Sequence, residues 1–431
     1  MTRFAPAGAL RGSLRPPPDK SISHRAALIA AMGEGETRIE GYLDAADTRS
    51  TLAAAEALGA TVAGEGTGTE WALRIAGVGL RGPRPSAIDV GNAGTLLRLL
   101  PGWLAGQEGG SWKLDGDESI RRRPVDRVAA PLREMGASVS CREDRLPPLQ
   151  IRAGRLHGIE YRMPVASAQV KSCLLFAGLL AAGPTTILEP LPSRDHSERM
   201  LAAAGARIEP GEGSVTVHPA DRLQPGVIAV PADISSAAFF VVAALLVGGS
   251  EVVLDDVGVN PTRTGLLTIL ERMGAEIEVE PLGERGGEPT GRLRVRSAPL
   301  QGTEVGGAEI PLAIDELPLV ALAGCFAEGT TTIRDAAELR RKESDRIATV
   351  STALNALGGR VEPTDDGMVI EGAGGLRGGQ IDSHGDHRIA MLGAVAGLAS
   401  EQGVEVRGMD AAAVSYPGFE FDLAAISGRG G

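Results

Sequence analysis

Basic and hydroxyl-bearing residues stand where the sequence predicts that a helix begins. Lys20, Ser21 and Arg25 follow three consecutive prolines, which end the incoming segment and favour a helix start near Ser21. Arg25 lies four residues after Ser21 and is therefore expected on the same helical face. Two cations and a hydroxyl at a helix N-terminus suit a phosphate, because the N–H groups and the positive dipole end favour anions there. An ordinary capped helix with solvated charges is the alternative.

Two further segments have the same character. The small-residue turn from Asn92 to Gly94 precedes a helical pattern and lets backbone N–H groups approach an anion closely. Arg123 ends an arginine run that could supply a cation to this turn or could be a solvated face. Ser167 and Gln169 could orient the hydroxyls of a polyol, or could only cap the next helix.

Two charged segments follow in the second half of the chain. A helix is predicted through Lys342 and Arg346, which would share one face, with Glu343 paired to Arg346. A solvated charged face is the usual explanation of such a run. His387 and Arg388 lead directly into an apolar helix, where charged side chains are harder to explain as part of a solvent-exposed surface.

The composition excludes several classes of protein. A net charge of −12 argues against nucleic acid as a partner, because phosphate backbones require a basic face. A local cationic pocket for a small anion is still compatible with that charge. The three cysteines are far apart, so neither a disulfide framework nor a zinc site is expected. The start of the chain lacks a signal-peptide pattern, and its apolar runs are shorter than the roughly 20 residues that span a bilayer, so we expect a cytoplasmic protein without membrane contact.

An internal repeat organises these segments. A glycine followed after three residues by an apolar residue recurs six times, at Gly35, Gly110, Gly183, Gly249, Gly329 and Gly403. Before each copy lies a helix-length stretch that is apolar on all sides, which predicts a buried helix. Polar residues precede or begin each stretch. We therefore expect six similar α/β units, three per domain, with buried helices and outward-facing sheets.

Taken in order, the motifs resemble those of the 5-enolpyruvylshikimate-3-phosphate synthases. The resemblance rests on Lys20-Ser-Ile-Ser-His-Arg25, Gly91-Asn-Ala-Gly-Thr-Leu-Leu-Arg98, Arg122-Arg-Pro124, Ser167-Ala-Gln169, Lys342-Glu-Ser-Asp-Arg346 and Asp386-His-Arg388. It covers the chain from residue 14 to residue 420. The sequence Ser167-Ala-Gln-Val-Lys-Ser172 and the sequence Ser193-Arg-Asp-His196 are similar to the second class of this family.

The resemblance implies a fold of two inside-out α/β domains, each built of three βαβαββ units with buried helices. One domain would be continuous, over residues 14–229, and would take the shikimate 3-phosphate side. The other would join residues 1–13 to 230–431 and would carry the catalytic carboxylates.

The resemblance also implies the reaction. Family members transfer the enolpyruvyl group of phosphoenolpyruvate to the 5-hydroxyl of shikimate 3-phosphate and release phosphate. Cleavage of a C–O bond needs no metal clamp on the phosphoryl group, so no cofactor and no metal are expected. The chain is also expected to be a monomer. The catalytic residues would be Asp315, Glu343 and Lys20. The substrates would be bound by Lys20, Ser21, Arg25, Asn92, Gly94, Arg123, Ser167, Gln169, Ser193, Lys342, Arg346, His387 and Arg388.

Some positions depart from the family pattern. A lysine that the first class places near the C-terminus is missing, since no lysine follows Lys342, and Val414 or Ser415 stands near that position. Gly94 leaves room for the inhibitor glyphosate, where tolerant members carry alanine.

Two alternatives stay open at this point. The sister enzyme that acts on UDP-N-acetylglucosamine characteristically has a Lys-Asn start and a reactive loop cysteine, whereas this chain has Lys20-Ser21 and no cysteine between Asn92 and Arg133. A non-catalytic anion-binding repeat protein is the second alternative, and the presence of both Asp315 and Glu343 argues against it.

Overall fold

A computed structural model describes residues 1–66 and 71–428 of the chain. The α-helices are α1 (Lys20–Met32), α2 (Ala46–Ala57), α3 (Gly94–Ala105), α4 (Asp126–Glu134), α5 (Ala168–Gly178), α6 (His196–Ala203), α7 (Ile234–Leu246), α8 (Gly265–Arg272), α9 (Ile310–Ala313), α10 (Leu317–Phe326), α11 (Arg346–Ala356), α12 (His387–Ala399) and α13 (Phe419–Ile426). Short 3-10 helices span Ile120–Arg122, Gly307–Glu309, Ala337–Arg341 and Met409–Val414.

The strands are mostly short. They are β1 (Thr2–Phe4), β2 (Arg11–Leu14), β3 (Glu36–Glu40), β4 (Thr61–Glu65), β5 (Ala72–Ala76), β6 (Ala87–Asp89), β7 (Ser111–Asp115), β8 (Ser138–Arg142), β9 (Leu146–Arg152), β10 (Glu160–Arg162), β11 (Thr185–Leu188), β12 (Ile208–Gly211), β13 (Ser214–Val217), β14 (Val227–Ala229), β15 (Glu251–Gly258), β16 (Glu276–Arg285), β17 (Glu288–Arg296), β18 (Glu304–Val305), β19 (Thr330–Ile333), β20 (Arg360–Pro363), β21 (Met368–Glu371), β22 (Gly379–Asp382) and β23 (Val404–Arg407).

The chain divides into two compact units. The continuous unit comprises Pro18–Pro231 together with the short segment Glu284–Glu288. The discontinuous unit comprises Met1–Pro17, Ala232–Gly283 and Pro289–Gly431. The assignment of one unit to shikimate 3-phosphate and of the other to the catalytic carboxylates stays a prediction.

Among its described residues, the continuous unit contains three four-stranded sheets. Their strand orders are β14-β3-β5-β4, β6-β7-β9-β8 and β10-β11-β13-β12. In each sheet the first two strands are parallel and the remaining pairs are antiparallel. A parallel pair needs a crossover, and α3 and α5 provide it between β6 and β7 and between β10 and β11. The repeated order strand, helix, strand, helix, hairpin is the βαβαββ unit.

The discontinuous unit repeats this plan with one exception. Two of its sheets have the orders β16-β17-β15-β2 and β18-β19-β21-β20, with β2 parallel to β15 and β18 parallel to β19. The third sheet, β1-β23-β22, has three strands, and β1 pairs antiparallel with β23. The sixth repeat is therefore shorter than the other five, because a strand from the N-terminus takes the place of its hairpin.

The six helices predicted to be buried are buried. They are α1, α3, α5, α7, α10 and α12, and most of their side chains are inaccessible on every face. In α7 every residue from Ile234 to Leu245 is buried, including Phe239 and Phe240. Each fully buried large apolar side chain contributes about 1.5–3 kcal/mol from its removal from water, so these helices are the main source of stability. The prediction of the fold class is confirmed.

The six repeat glycines explain how each buried helix turns into a strand. All of them have a positive φ, namely 82° at Gly35, 113° at Gly110, 116° at Gly183, 74° at Gly249, 88° at Gly329 and 79° at Gly403. Each lies within two residues of the next strand, from β3 through to β23. Glycine adopts a positive φ without the steric cost that a Cβ would cause, so the repeat in the sequence marks a recurring backbone turn.

The described residues also bear on membrane contact and on the thiols. None of the described helices combines the length and the apolar character that crossing a membrane requires. Cys141, Cys173 and Cys325 are free thiols, and the latter two are buried.

Candidate active site

The first predicted group lies at the start of α1. The helix begins at Lys20, one residue before the predicted start, because Asp19 caps it by accepting a hydrogen bond from the Ile22 N–H at 2.8 Å. The Nζ of Lys20 lies 3.3 Å from Asp47 Oδ2, and the Lys20 side chain is 20% exposed. A partly exposed lysine at a helix N-terminus can meet an anionic ligand while its carboxylate partner limits its movement.

Arg25 is buried one turn further along α1. Its Nε donates to Ser197 Oγ at 2.8 Å, its Nη2 donates to Ser172 Oγ at 2.9 Å, and its Nη1 donates to the Ser21 carbonyl at 2.9 Å. Burial and, to a lesser extent, the nearby positive charge of Arg194 lower the pKa of Arg25 to about 10. Because both effects disfavour the cation, an anion bound beside these two guanidinium groups would be strongly favoured.

The second group joins the turn before α3 to the arginine run. Asn92 Oδ1 accepts a hydrogen bond from Arg123 Nη2 at 2.8 Å. Gly94 is the first residue of α3, and a Cβ placed on it would lie 2.9 Å from Arg123 Nη1. Arg121 and Arg122 instead pair with carboxylates at the surface. Both readings of the arginine run therefore hold, since two of its members are solvated and the third contacts the predicted turn.

The third group lies at the start of α5. Ser167 caps this helix by accepting from the Val170 N–H at 3.4 Å. Gln169 Oε1 accepts from Arg98 Nη1 at 2.9 Å, and its Nε2 donates to Thr95 Oγ1 at 3.2 Å. Arg98 was not among the predicted site residues, although it ends the same motif as Gly94 and could have been found from that position.

Ser193 belongs to a fourth group, which is organised by a buried lysine. Lys171 Nζ lies 2.8 Å from Glu189 Oε2 and 2.7 Å from Glu198 Oε1, and it donates to the Ser193 carbonyl at 3.2 Å. Ser193 Oγ donates to Glu189. Burial raises the pKa of Glu198, against the effect of Lys171. Lys171 thus fixes the segment that carries Ser193, a role that its position in the sequence did not indicate.

In the discontinuous unit, Arg346 connects both predicted catalytic carboxylates. Its side chain is 1% exposed, its Nη2 lies 2.7 Å from Glu343 Oε2, and its Nη1 lies 3.4 Å from Asp315 Oδ1. Lys342 Nζ lies 3.0 Å from the same oxygen of Asp315. Burial alone would lower the pKa of Arg346, but the carboxylates of Asp386, Glu343 and Asp315 raise it well above its usual value.

Asp386 anchors this arrangement from the start of α12. Its carboxylate lies 2.9 Å from Arg346 Nε and 3.2 Å from Arg346 Nη2, and it accepts from the Arg388 N–H at 2.9 Å. Burial opposes its ionisation, but Arg346 lowers the pKa of Asp386 below its usual value. The guanidinium Nη1 of Arg388 lies 3.3 Å from Glu316 Oε1, and the ring of His387 is buried beside Asp386, with 3.9 Å from Nδ1 to Oδ1. This carboxylate therefore holds the side chain of Arg346 and the backbone of Arg388, and His387 lies beside it.

The predicted helix through Lys342 and Arg346 is wrong. A 3-10 helix ends at Arg341, Lys342 has an extended backbone, and α11 begins only at Arg346. Asp345 caps α11 by accepting from the Ala348 N–H at 3.1 Å, which prevents a continuous helix through this segment. The predicted ion pair of Glu343 with Arg346 is present nevertheless.

One group of potential metal ligands occurs among the described residues. Donor atoms of Asp195, His196 and Glu288 lie within 4.8 Å of one another. The Nδ1 of His196 is 2.7 Å from Glu288 Oε1, and Asp195 Oδ2 is 2.8 Å from Arg199 Nε. Because His196 Nδ1, Glu288 Oε1 and Asp195 Oδ2 are already paired within the protein, we assign no metal to this group.

Comparison with known proteins gives the family. The model of the family described as EPSP synthase (3-phosphoshikimate 1-carboxyvinyltransferase) matches residues 4–423. The chain belongs to the EPSP synthase family.

Individual relatives are similar to this chain over nearly its whole length. The 3-phosphoshikimate 1-carboxyvinyltransferase of Synechococcus sp. (strain JA-3-3Ab) is 52% identical over 96% of this chain and 94% of its own, and that of Desulforudis audaxviator is 49% identical over 98% of each. The solved EPSP synthase of Acinetobacter baumannii has a TM-score of 0.86, with 42% identity over 98% of this chain and 97% of its own. The enolpyruvyl transferase NikO of Streptomyces tendae, at 19% identity and a TM-score of 0.77, shares the fold.

As an EPSP synthase family member, the chain is an enzyme and a transferase. The continuous unit holds nine of the predicted residues, and we call them the continuous-unit cluster: Lys20, Ser21, Arg25, Asn92, Gly94, Arg123, Ser167, Gln169 and Ser193. The discontinuous unit holds the others, which we call the discontinuous-unit cluster: Asp315, Lys342, Glu343, Arg346, His387 and Arg388. The substrate contacts of both clusters stay predictions, as does the replacement of the missing lysine near Ser415.

Proposed function

We propose that the family reaction is carried out by these two clusters acting on one pair of substrates. The enolpyruvyl group of phosphoenolpyruvate is transferred to the 5-hydroxyl of shikimate 3-phosphate, and inorganic phosphate leaves. The observation that carries this proposal is the contact of Arg346 with both Asp315 and Glu343, since it places two carboxylates around one buried cation. Addition to an enol ether needs a group that accepts the hydroxyl proton and a group that protonates carbon.

The proposed reaction has two steps, an addition and an elimination. In the addition, the 5-oxygen bonds to C2 of phosphoenolpyruvate, the hydroxyl proton is taken up by a base, and C3 receives a proton from an acid. In the elimination, the bond from C2 to the phosphate oxygen breaks and C3 gives up a proton. Asp315 and Glu343 carry these proton transfers, and Lys20 provides a positive charge near the reacting oxygens.

The cationic side chains bind the two anionic substrates. Shikimate 3-phosphate is held by Ser21, Arg25, Ser167 and Lys342. Phosphoenolpyruvate is held by Lys20, Asn92, Gly94, Arg123, Gln169, Arg346 and Arg388. Ser193 and His387 contribute further substrate contacts. Arginine suits these positions because its planar fork matches carboxylate and phosphate oxygens. Lys20, Lys342, Arg346 and Arg388 are each paired with a carboxylate in the structure, and this pairing compensates the cost of burying these cations in the absence of substrate.

A phosphate-release assay tests the proposal. The wild-type protein should release phosphate from phosphoenolpyruvate only when shikimate 3-phosphate is present, and UDP-N-acetylglucosamine should not replace it. Asp315→Ala and Lys20→Met should each lower kcat by at least about 100-fold, the usual size of a lost general acid–base or charge contribution. Asp410→Ala and Lys113→Met are matched controls, because both residues are exposed and lie in the same units as their counterparts. No release by the wild type, or full activity of Asp315→Ala, would contradict the proposal.

We also propose that the enzyme acts in the cytoplasm and as a monomer. Light scattering coupled to size-exclusion chromatography should give a mass near 44.4 kDa. A stable dimer at assay concentrations would refute the monomer.

A further inference from the structure

Glu316 is a buried carboxylate next to the catalytic Asp315. Its side chain is 2% exposed, and it stands directly before α10. A buried carboxylate is costly unless hydrogen bonds and a cation compensate it. A negative charge is also unexpected in a site for anionic substrates, so its presence requires a reason.

The partners of Glu316 come from two other buried helices. Ser235 Oγ, in the first turn of α7, donates to Glu316 Oε1. Arg388 Nη1, in the first turn of α12, lies 3.3 Å from the same oxygen. Glu316 therefore ties together the N-terminal ends of α7, α10 and α12, all within the discontinuous unit.

A second layer fixes Ser235 in turn. Arg263 Nη2 donates to Ser235 Oγ at 2.6 Å, and it lies 3.5 Å from Asp233 Oδ1. Asp233 accepts from the Ser235 N–H at 2.7 Å as the cap of α7. Because Ser235 accepts from Arg263, its own hydroxyl proton is directed to Glu316. The same carboxylate oxygen of Glu316 thus accepts from Ser235 and contacts Arg388.

We infer that Glu316 is a positioning residue that orients the guanidinium of Arg388 toward phosphoenolpyruvate. The main chain of Arg388 is fixed by Asp386, but its long side chain has large rotamer freedom that the backbone contact does not remove. The contact with Glu316 restricts this freedom at the far end of the side chain. The inference rests on the proposed function, in which Arg388 binds phosphoenolpyruvate.

Two physical effects of Glu316 oppose each other, and this makes the inference testable. The charge of Glu316 repels an anionic substrate, so its removal would lower the KM for phosphoenolpyruvate if charge alone mattered. Its contact with Arg388 orders a binding group, so its removal would raise that KM if positioning dominates. We expect positioning to dominate, because the contact is direct whereas the repulsion acts over a longer distance and is partly cancelled by Arg388 itself.

The decisive variant is Glu316→Gln, which keeps the shape and one acceptor oxygen but removes the charge. Its KM for phosphoenolpyruvate should rise about tenfold, because the hydrogen bond to Arg388 loses its charge-assisted part, while the KM for shikimate 3-phosphate changes less than about twofold. A lower KM for phosphoenolpyruvate would overturn the inference. So would an equal rise of both KM values, which indicates a merely structural role.

A double-mutant cycle with Arg388→Ala separates this inference from the proposed function. If Glu316 acts through Arg388, Glu316→Gln should have no further effect on the KM for phosphoenolpyruvate in the Arg388→Ala background. If Arg388→Ala alone leaves this KM unchanged, the proposed role of Arg388 is wrong. If Arg388→Ala raises it but Glu316→Gln adds its full effect on top, the inference is wrong and the proposed function stands.

Two further variants complete the experiment. Glu309→Gln is the matched control, because Glu309 lies in the same unit and pairs with Arg272 at the surface, and it should leave both KM values unchanged. Ser235→Ala should raise the KM for phosphoenolpyruvate about threefold, because it removes the hydroxyl that donates to Glu316 and that accepts from Arg263, while the charge of Glu316 stays in place. It also tests the inference if Glu316→Gln does not fold, and an unchanged KM in Ser235→Ala would then refute it.

Discussion

Replacement of Asp386 by asparagine should destabilise the discontinuous unit and impair catalysis together. The carboxylate of Asp386 is fully buried and accepts hydrogen bonds from Arg346, from the Arg388 backbone and, at 2.9 Å, from Ser344 Oγ. Asparagine keeps one acceptor oxygen but turns an NH2 group toward these donors. Arg346, itself 1% exposed, would then lack its strongest counter-charge.

The size of the effect follows from the burial of the pair. Breaking a buried ion pair by removing one partner costs about 3–5 kcal/mol. Glu343 and Asp315 still compensate Arg346 in part, so we expect the lower end, about 3 kcal/mol. For a unit of this size, that corresponds to a fall in Tm of about 6–12 °C. The loss of a fixed Arg346 should also lower kcat/KM about 100-fold, because small displacements of catalytic groups have effects of this size.

Thermal unfolding and steady-state kinetics of the same preparations provide the assay. Asp382→Asn is the control, since Asp382 lies four residues earlier, its side chain is 41% exposed, and it is 3.7 Å from Arg407. This variant should change the free energy of unfolding by less than about 0.5 kcal/mol. If Asp386→Asn behaves like Asp382→Asn in both measurements, the assignment of Asp386 as the anchor of Arg346 is refuted.

Three further variants test separate parts of the structure. Burial lowers the pKa of His24 from 6.5 to about 3, so below pH 6.5 the unfolded state binds a proton that the folded state does not, and the free energy of unfolding should fall by up to about 1.4 kcal/mol per pH unit. In urea unfolding, His24→Gln should show a smaller dependence of this free energy on pH, and an equal dependence would count against a neutral buried histidine. Glyphosate should inhibit the wild type with an inhibition constant not far above the KM for phosphoenolpyruvate. Gly94→Ala should raise both the inhibition constant and this KM, because the added Cβ would displace Arg123, and unchanged values would contradict this geometry. Lys171→Met should cost about 3 kcal/mol of unfolding free energy, because it leaves the largely inaccessible carboxylates of Glu189 and Glu198 without their cation. An unchanged urea midpoint would argue against that account.

The fold could be predicted from the sequence to the extent that it depends on local patterns. The six repeat glycines and the stretches that are apolar on all sides correctly indicated buried helices, each followed by a turn and a strand. The segment through Lys342 was predicted wrongly, because charge spacing was given more weight than the capping signal of Ser344 and Asp345 immediately before the apolar residues of α11. The three-stranded sixth sheet depends on pairing of β1 with β23, a long-range contact that a repeat cannot reveal.

The candidate site, like the fold, could be predicted from local motifs but not from long-range contacts. The predicted residues stand in short motifs, and motifs are visible in one sequence. The residues that hold these site residues in place could not be found from one sequence, because their partners are distant along the chain: Ser235 contacts Glu316, and Lys171 contacts Glu189 and Glu198. Such pairs are specified by packing of helices against one another, which the sequence alone does not give.

The most direct test of the central claim follows the bridging oxygen of phosphoenolpyruvate. If this oxygen carries ¹⁸O, the addition–elimination route transfers all of the label to the released phosphate, because the bond that breaks joins C2 to that oxygen. Mass spectrometry of the phosphate after turnover with shikimate 3-phosphate should therefore show complete retention of the label. Unlabelled phosphate, with the label left on the three-carbon unit, would mean cleavage of the P–O bond and would contradict enolpyruvyl transfer by this protein.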